Sequence, residues 1–268
     1  MRTIPDTMDA VTVATVDDRL RGVAADHAVV IPWAIESGSR AWGFPSPDSD
    51  YDCRFFFVRS RDRYLSPWPA RDVIETPLDK VFDVNGWDVI KAVRLLVKGN
   101  ATVTEWLRSP IVYSGDAAFR DGMLELAASV YDPVRAGRHY RHVGLQQREG
   151  PIEKLTLKRC FYALRPAATL HWLRTNPDAG VPPMDLPTLI DQADPGPAVQ
   201  DAVADLIALK STTRELGSGT VPPTILDFIE RELELAAAFE EVDPNPHPDA
   251  IALGEEWFRG VLDRWGAR

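Results

Sequence analysis

The sequence predicts an α+β protein: a small mixed α/β domain over residues 1–115, followed by a helical domain over residues 116–268. Two observations carry this. Up to about residue 115, short apolar runs with strand character alternate with helical periodicity; beyond it, apolar positions recur almost only at helical spacing. Proline clusters (NPDAGVPPMDLP, ADPGP, VPP and DPNPHP) then divide the second part into successive helices.

The first part opens with a short helix over Asp17–Ala25 and an apolar strand, AVVIPWAI, over Ala28–Ile35. A second strand runs from Asp52 to Val58 through FFFV, and a third, short one from Lys80 to Val84. Asp88–Lys98 is a helix, because Val89, Ala92, Val93, Leu96 and Val97 fall on one face. In the second part, Gly217 is placed to end a helix that includes Asp201–Leu216. Thr224, with Asp227 three residues on, reads as a capping box after Pro222-Pro223. Ile251, Trp257, Phe258, Val261, Leu262 and Trp265 form a last apolar stripe at helical spacing, read as core.

With 45% apolar and 26% charged residues among 268, the chain can build a sizeable core and has the balance of an ordinary globular protein. The N-terminus has no basic segment leading into an apolar one, so no signal peptide is expected. No run approaches the ~18 consecutive apolar residues of a membrane span. Cys53 and Cys160 make neither a disulfide framework nor a zinc motif. A cytoplasmic protein without a membrane partner is the simplest expectation. The formal charge of −10 argues against a strong nonspecific grip on nucleic acid. The charge is unevenly spread: nine Lys and Arg between Arg135 and Arg174 are answered within that stretch only by Glu149 and Glu153, while the chain from Asp227 onward is acidic. A local basic surface and a set of solvated helix faces both fit this run.

The chemistry concentrates in ESGSRAWGFPSPDSDYDCRFFF, Glu36–Phe57. The strand ending at Ile35 delivers the chain into Gly38-Ser39, after which Arg40-Ala41-Trp42 can begin a helix whose first N–H groups would suit a phosphate. Gly38 permits close backbone approach and Ser39 adds a hydroxyl donor. Asp50 and Asp52 follow at the entry to the next strand, where residues two apart share a face. Paired carboxylates beside a phosphate cradle are what Mg²⁺ requires, the phosphates completing its shell. The alternative is a helix cap followed by aspartates that decorate a strand start, but Gly-Ser, ten residues and Asp-x-Asp before an apolar strand form a far more specific combination. Asp48 also alternates with the pair, yet lies in the loop between Pro47 and Ser49 and is left out.

This pattern resembles the signature of the DNA polymerase β-like nucleotidyltransferase superfamily. GSRAWGFPSPDSDYDCRFFFV, DVNGWDVIKAVRLLVKGNATVTEWLRSPIVY and KLTLKRCFYALRPAATLHWL together resemble its predicted nucleotidyltransferases found with RNA-repair genes; the resemblance spans about Ile31 to Arg174. It implies a mixed-sheet nucleotidyltransferase core and transfer of NMP from an NTP to an acceptor hydroxyl, with release of pyrophosphate. It further implies two Mg²⁺ ions held by Asp50, Asp52 and a third carboxylate, with Gly38 and Ser39 holding the outer phosphates. An RNA end is the acceptor suggested by the repair association; a protein or a small molecule is the alternative. For the third carboxylate Asp83 is preferred, lying between Phe82 and Val84 in a strand-like run. Asp88, which would serve equally as a helix cap, and Glu75 are its rivals. The resemblance makes Lys158 and Arg165 candidate triphosphate contacts from the helical domain, with Lys154 and Tyr162 on the same helix side. Arg40 and Arg54 are weaker candidates, able simply to balance the acids. The rival class is a catalytically silent nucleotide-binding or interaction module that keeps the fold.

Overall fold

A computed structural model describes residues 1–77, 79, 81–148, 150, 155–213, 220–240, 243 and 245–266. It is a mixed α+β structure with one five-stranded mixed sheet. Helix α1 (Ala10–His27) starts well before the expected Asp17, because Asp9 caps it by accepting the Thr12 N–H at 2.8 Å. Its Val13, Val16, Leu20 and Val23 are buried at helical spacing. Strand β1 (Val30–Glu36) leads into the single-turn helix α2 (Gly38–Ala41), then β2 (Tyr51–Val58), the short α3 (Arg61–Tyr64), β3 (Val73–Glu75) and β4 (Phe82–Asp88). The third expected strand is therefore longer than Lys80–Val84 at its far end, and Lys80 lies outside the described residues. Helix α4 (Val89–Val97) buries the five residues expected on its inner face. Helix α5 (Ala101–Leu107) and strand β5 (Val112–Gly115) complete this part.

The strand order is β3-β4-β2-β1-β5, with β2 and β4 parallel and the other neighbours antiparallel. FFFV is buried throughout because the sheet is covered on both faces. Phe55 and Phe57 meet α1, whereas Phe56 and Val58 join Trp33, Val89 and Trp106 on the other side. Burial of this kind contributes roughly 1.5–3 kcal/mol per large side chain. Gly86 of β4 leaves room for the Phe55 ring, whose Cζ would stand 2.5 Å from any added Cβ.

The second part consists of α6 (Ala117–Val130), α7 (Pro133–Gln147), α8 (Leu157–Thr175), α9 (Leu186–Ala193), α10 (Pro197–Thr212), α11 (Pro223–Leu235) and α12 (Pro248–Trp265). Helices α8 to α11 share a core with Phe44. Helix α11 begins at Pro223 behind Pro222, without a capping side chain, so the expected cap at Thr224 is displaced: proline at the first helical position has its φ preset and no N–H to satisfy. Gly217 lies outside the described residues. Helix α12 returns to α4 and α6, where Val261 and Leu262 are buried and Trp257, Phe258 and Trp265 pack against the sheet-side core; Ile251 is exposed. No helix among the described residues is long and apolar enough to cross a membrane.

The uneven charge of the sequence resolves within the chain. Arg148 pairs with Glu230, Arg174 with Glu232 at 3.0 Å, and Arg141 with Glu240 at 2.6 Å. Much of the basic run thus faces the acidic segment that follows it.

Candidate active site

The Gly-Ser turn is short and tightly held. Gly38 adopts φ +61, and a Cβ there would fall on the Asp52 carboxylate, 2.8 Å from its Cγ. Only glycine lets the backbone lie this close at that φ. The helix that follows stops after one turn, so phosphate binding here would depend on individual N–H groups rather than on a helix dipole. Ser39 Oγ lies 2.9 Å from Ser49 Oγ, which also accepts the Ser46 N–H at 2.9 Å. Arg40 donates to the carbonyls of Ser49 at 2.7 Å and Asp50 at 3.2 Å, its guanidinium over the Tyr51 ring. Ser39 and Arg40 therefore pin the loop that delivers Asp50.

Asp52 and Asp83 are register partners on the adjacent parallel strands β2 and β4. Cys53 and Val84 point into the α1 side, so Asp52, Arg54, Asp83 and Asn85 share the opposite face. Arg54 stands between the two carboxylates, 3.3 Å from Asp52 Oδ1 and 2.6 Å from Asp83 Oδ2, and Asn85 donates to the other oxygen of Asp83. Burial pushes the Asp52 carboxyl above its ordinary range; Arg54 opposes this, and the like charges of Asp83 and Asp50 add to the push. Behind Asp52, the buried Glu36 accepts its N–H at 2.9 Å and the Tyr113 hydroxyl at 2.5 Å. Burial raises the Glu36 carboxyl to about 7. Glu36 carried no role in the sequence reading, although an acid between a buried strand and the Gly-Ser turn was the available signal.

The rivals of Asp83 have other partners. Asp88 is buried, caps α4 through the Ile90 N–H at 3.1 Å and meets Arg59 and Tyr64. Glu75 is exposed on the edge strand β3, is paired with Arg71, and stands opposite Asn85 rather than Asp83.

Across from the carboxylates, Thr156, Lys158 and Tyr162 of the α8 N-terminal region and Lys210 of α10 line a cavity of about 490 Å³ together with Ser39, Ser46, Asp48, Asp50 and Asp52. Lys158 is exposed into it. Arg165 is not brought there. It is 5% exposed and ion-paired with Glu105 at 2.7 Å, its guanidinium over the Trp42 ring. The seven residues from Lys158 to Arg165 advance about 10 Å along the helix, far enough to carry Arg165 under α5, where a buried guanidinium needs the carboxylate it finds. Arg165 instead lines a second cavity of about 290 Å³ with Glu105, His139, Tyr140 and Trp42, separated from the first by Tyr162. Lys154 lies outside the described residues. Lys210 was missed because nothing local in LIALKSTT distinguishes it from a solvated lysine.

The donor set suits a hard cation. Asp50 and the crowded Asp52 offer carboxylate oxygens at the mouth of a polar cleft, which is how Mg²⁺ is usually held, with phosphate and water completing its shell. Among the described residues no three ligand side chains are already gathered around one point. Between Asp52 and Asp83, the Arg54 guanidinium already pairs with both carboxylates.

The family model of the RNA repair pathway DNA polymerase beta family, RlaP, matches residues 13–259. A Bacillus subtilis (strain 168) protein, YcgL, described as uncharacterized, is 34% identical over 219 residues, covering 81% of this chain and 84% of that protein. A nucleotidyltransferase-like protein from Exiguobacterium sibiricum 255-15 superposes with a TM-score of 0.31 at 10% identity, over 92% of this chain and 80% of that one. Read with the Gly-Ser turn and the strand-borne carboxylates, the match along most of its length shows that this chain belongs to the RNA repair pathway DNA polymerase beta family.

Proposed function

We propose that the chain is a Mg²⁺-dependent nucleotidyltransferase that moves an NMP from an NTP to an acceptor hydroxyl. The observation that carries this is the pairing of Asp52 with Asp83 across β2 and β4, with Asp50 at the strand entry, beside a glycine-bounded turn and opposite two lysines. Bound Mg²⁺ would supply charge neutralisation at the phosphates and activation of the attacking oxygen. Asp50 and Asp52 would hold it, with Asp83 the third carboxylate. Gly38 and Ser39 give the phosphates close access to the backbone, and Lys158 offsets their charge from the helical side. Tyr162 offers a ring on the wall of the cleft. The bond from the acceptor oxygen to the α-phosphorus forms as the bridge to the β-phosphate breaks, and pyrophosphate leaves.

The acceptor we favour is an RNA end, in keeping with the family's description. The pairing of the basic run with the acidic segment favours recognition of an end over a grip along a strand. A second reading, a nucleotide-binding module without transfer, is favoured by Arg54, which already neutralises two of the three carboxylates. The test is incubation with Mg²⁺ and each α-labelled NTP, offering pooled RNA and cell extract as acceptors. Label should move into RNA with the wild type and not with the Asp50→Ala/Asp52→Ala double variant. Label entering protein or a small molecule would reassign the acceptor; binding without any transfer would select the second reading.

A further inference from the structure

The amino group of Lys210 stands on the cleft wall without a protein counter-charge in contact among the described residues. The residue is 6% exposed, yet it makes no hydrogen bond or ion pair with the described residues, and it lines the cleft that holds Asp50 and Asp52. Its ammonium rests on two aromatic faces, 4.4 Å from the Phe44 ring centroid and 4.8 Å from that of Phe161. Ring faces tolerate a cation but do not replace a hydrogen-bond acceptor. The same wall carries Lys158 and Thr156, which caps the 19-residue helix α8 by accepting the Arg159 N–H at 3.3 Å. Two lysines and a helix N-terminus on one wall form a site for a multiply charged anion.

We propose that Lys210 is the polyphosphate-binding residue of this cleft, holding the outer phosphates of the nucleotide and then the departing pyrophosphate, and that it takes up a proton as the anion enters and returns it to solvent as the anion leaves. The inference rests on the nucleotide-transfer reading for the identity of the anion and on the geometry of α8 and α10 for its place. Burial and the neighbouring Lys158 depress the Lys210 ammonium to about 8, with Asp48 acting in the other direction. Among the described residues, these are the charged groups that bear on it. Tyr162 shares the cavity wall, Asp50 and Asp52 lie across the cavity, and α9 and α11, packed on α10, add no charge that acts on it. Without a bound anion, Lys210 near neutral pH is therefore a cation with no protein acceptor among the described residues, and part of that population loses its proton as the pH passes about 8. An arriving phosphate supplies a negatively charged acceptor and draws the proton back.

Calorimetric titration of the full chain with inorganic pyrophosphate and Mg²⁺, in two buffers of different ionisation enthalpy, tests this without requiring turnover. In the wild type, Lys210 should take up about half a proton at a pH near 8 and closer to one above it, measured as the uptake that disappears in Lys210→Met. Lys210→Met, which keeps the side-chain volume, should bind about tenfold or more weakly. Lys158→Met should weaken binding and, because Lys158 helps depress the Lys210 ammonium, move the uptake to higher pH without abolishing it. Wild-type affinity should fall as the pH rises through about 8, a measurement that needs no variant. Wild-type affinity in Lys210→Met, or equal proton exchange in the two proteins, would overturn the proposal, as would failure of pyrophosphate to bind the wild type. Pyrophosphate binding with Lys210-linked uptake, but without NMP transfer to any acceptor, would sink the transferase reading and leave the anion site standing.

Discussion

Replacing Gly38 with alanine probes the closest approach in the site. The added methyl would overlap the Asp52 carboxylate and stand 2.8 Å from its Cγ. The carboxylate oxygen lies closer still, so restoring an ordinary contact requires a shift of more than about 1 Å, borne by a short side chain that Arg54 holds from the far side. Alanine at φ +61 also adds backbone strain of about 1–2 kcal/mol, which for a protein of this size lowers the melting temperature by roughly 2–6 °C. Because a displacement on the scale of 1 Å in a catalytic constellation can cost about a hundredfold in rate, Gly38→Ala should lose transfer activity on that order while staying folded. The assay is labelled-NTP turnover beside a thermal melt, with Mg²⁺-dependent nucleotide affinity as a second readout. Unchanged turnover and affinity in a protein with the expected small melting shift would refute the reasoning, since Asp52 would then be free to move without consequence.

Two further predictions concern charges inside the helical part. Glu105→Gln leaves the Arg165 guanidinium buried without its counter-charge and should destabilise the fold by about 3–5 kcal/mol in denaturant unfolding; an effect below about 1 kcal/mol would mean that Arg165 finds water. The Glu232 carboxyl is pushed up by burial, but hydrogen bonds from His171 and Arg174 outweigh this and hold it below its ordinary 4.5. Its stabilising contribution is therefore fully present above about pH 4.5 and lost as the pH falls toward the lower folded value. Thermal melts across that window should show a shallower acid limb for Glu232→Gln than for the wild type.

What the sequence made legible was what local rules govern. The inner face of α4 and the FFFV strand follow from periodicity, and so does the place of Asp83 on a strand, which the register sets opposite Asp52; its role as third carboxylate is for the transfer assay to decide. Three features depended on tertiary packing. Arg165 and Lys158 share a helix side, but only the position of α5 shows that one is buried and the other exposed. Lys210 is ordinary in its own helix and unusual only once Phe44 and Phe161 cover it. The basic run could be read as a surface until α11 supplied Glu230 and Glu232 to face it.

Helix α12 has a consequence for the order of synthesis. Val261 and Leu262 complete the apolar layer under α4 and α6 that also contains Trp33 and Phe56 of the sheet. A ribosome delivers Gly38, Asp52 and Asp83 long before it delivers these residues, so the nascent chain carries every acidic group of the cleft on a sheet whose lower layer is still open to water. Closure of that layer waits on the late arrival of α12. Cotranslational folding of this protein should therefore include a late docking of α12, and a chain stopped before Pro248 would expose Phe119 and Met123 to chaperones rather than accumulate as a working half.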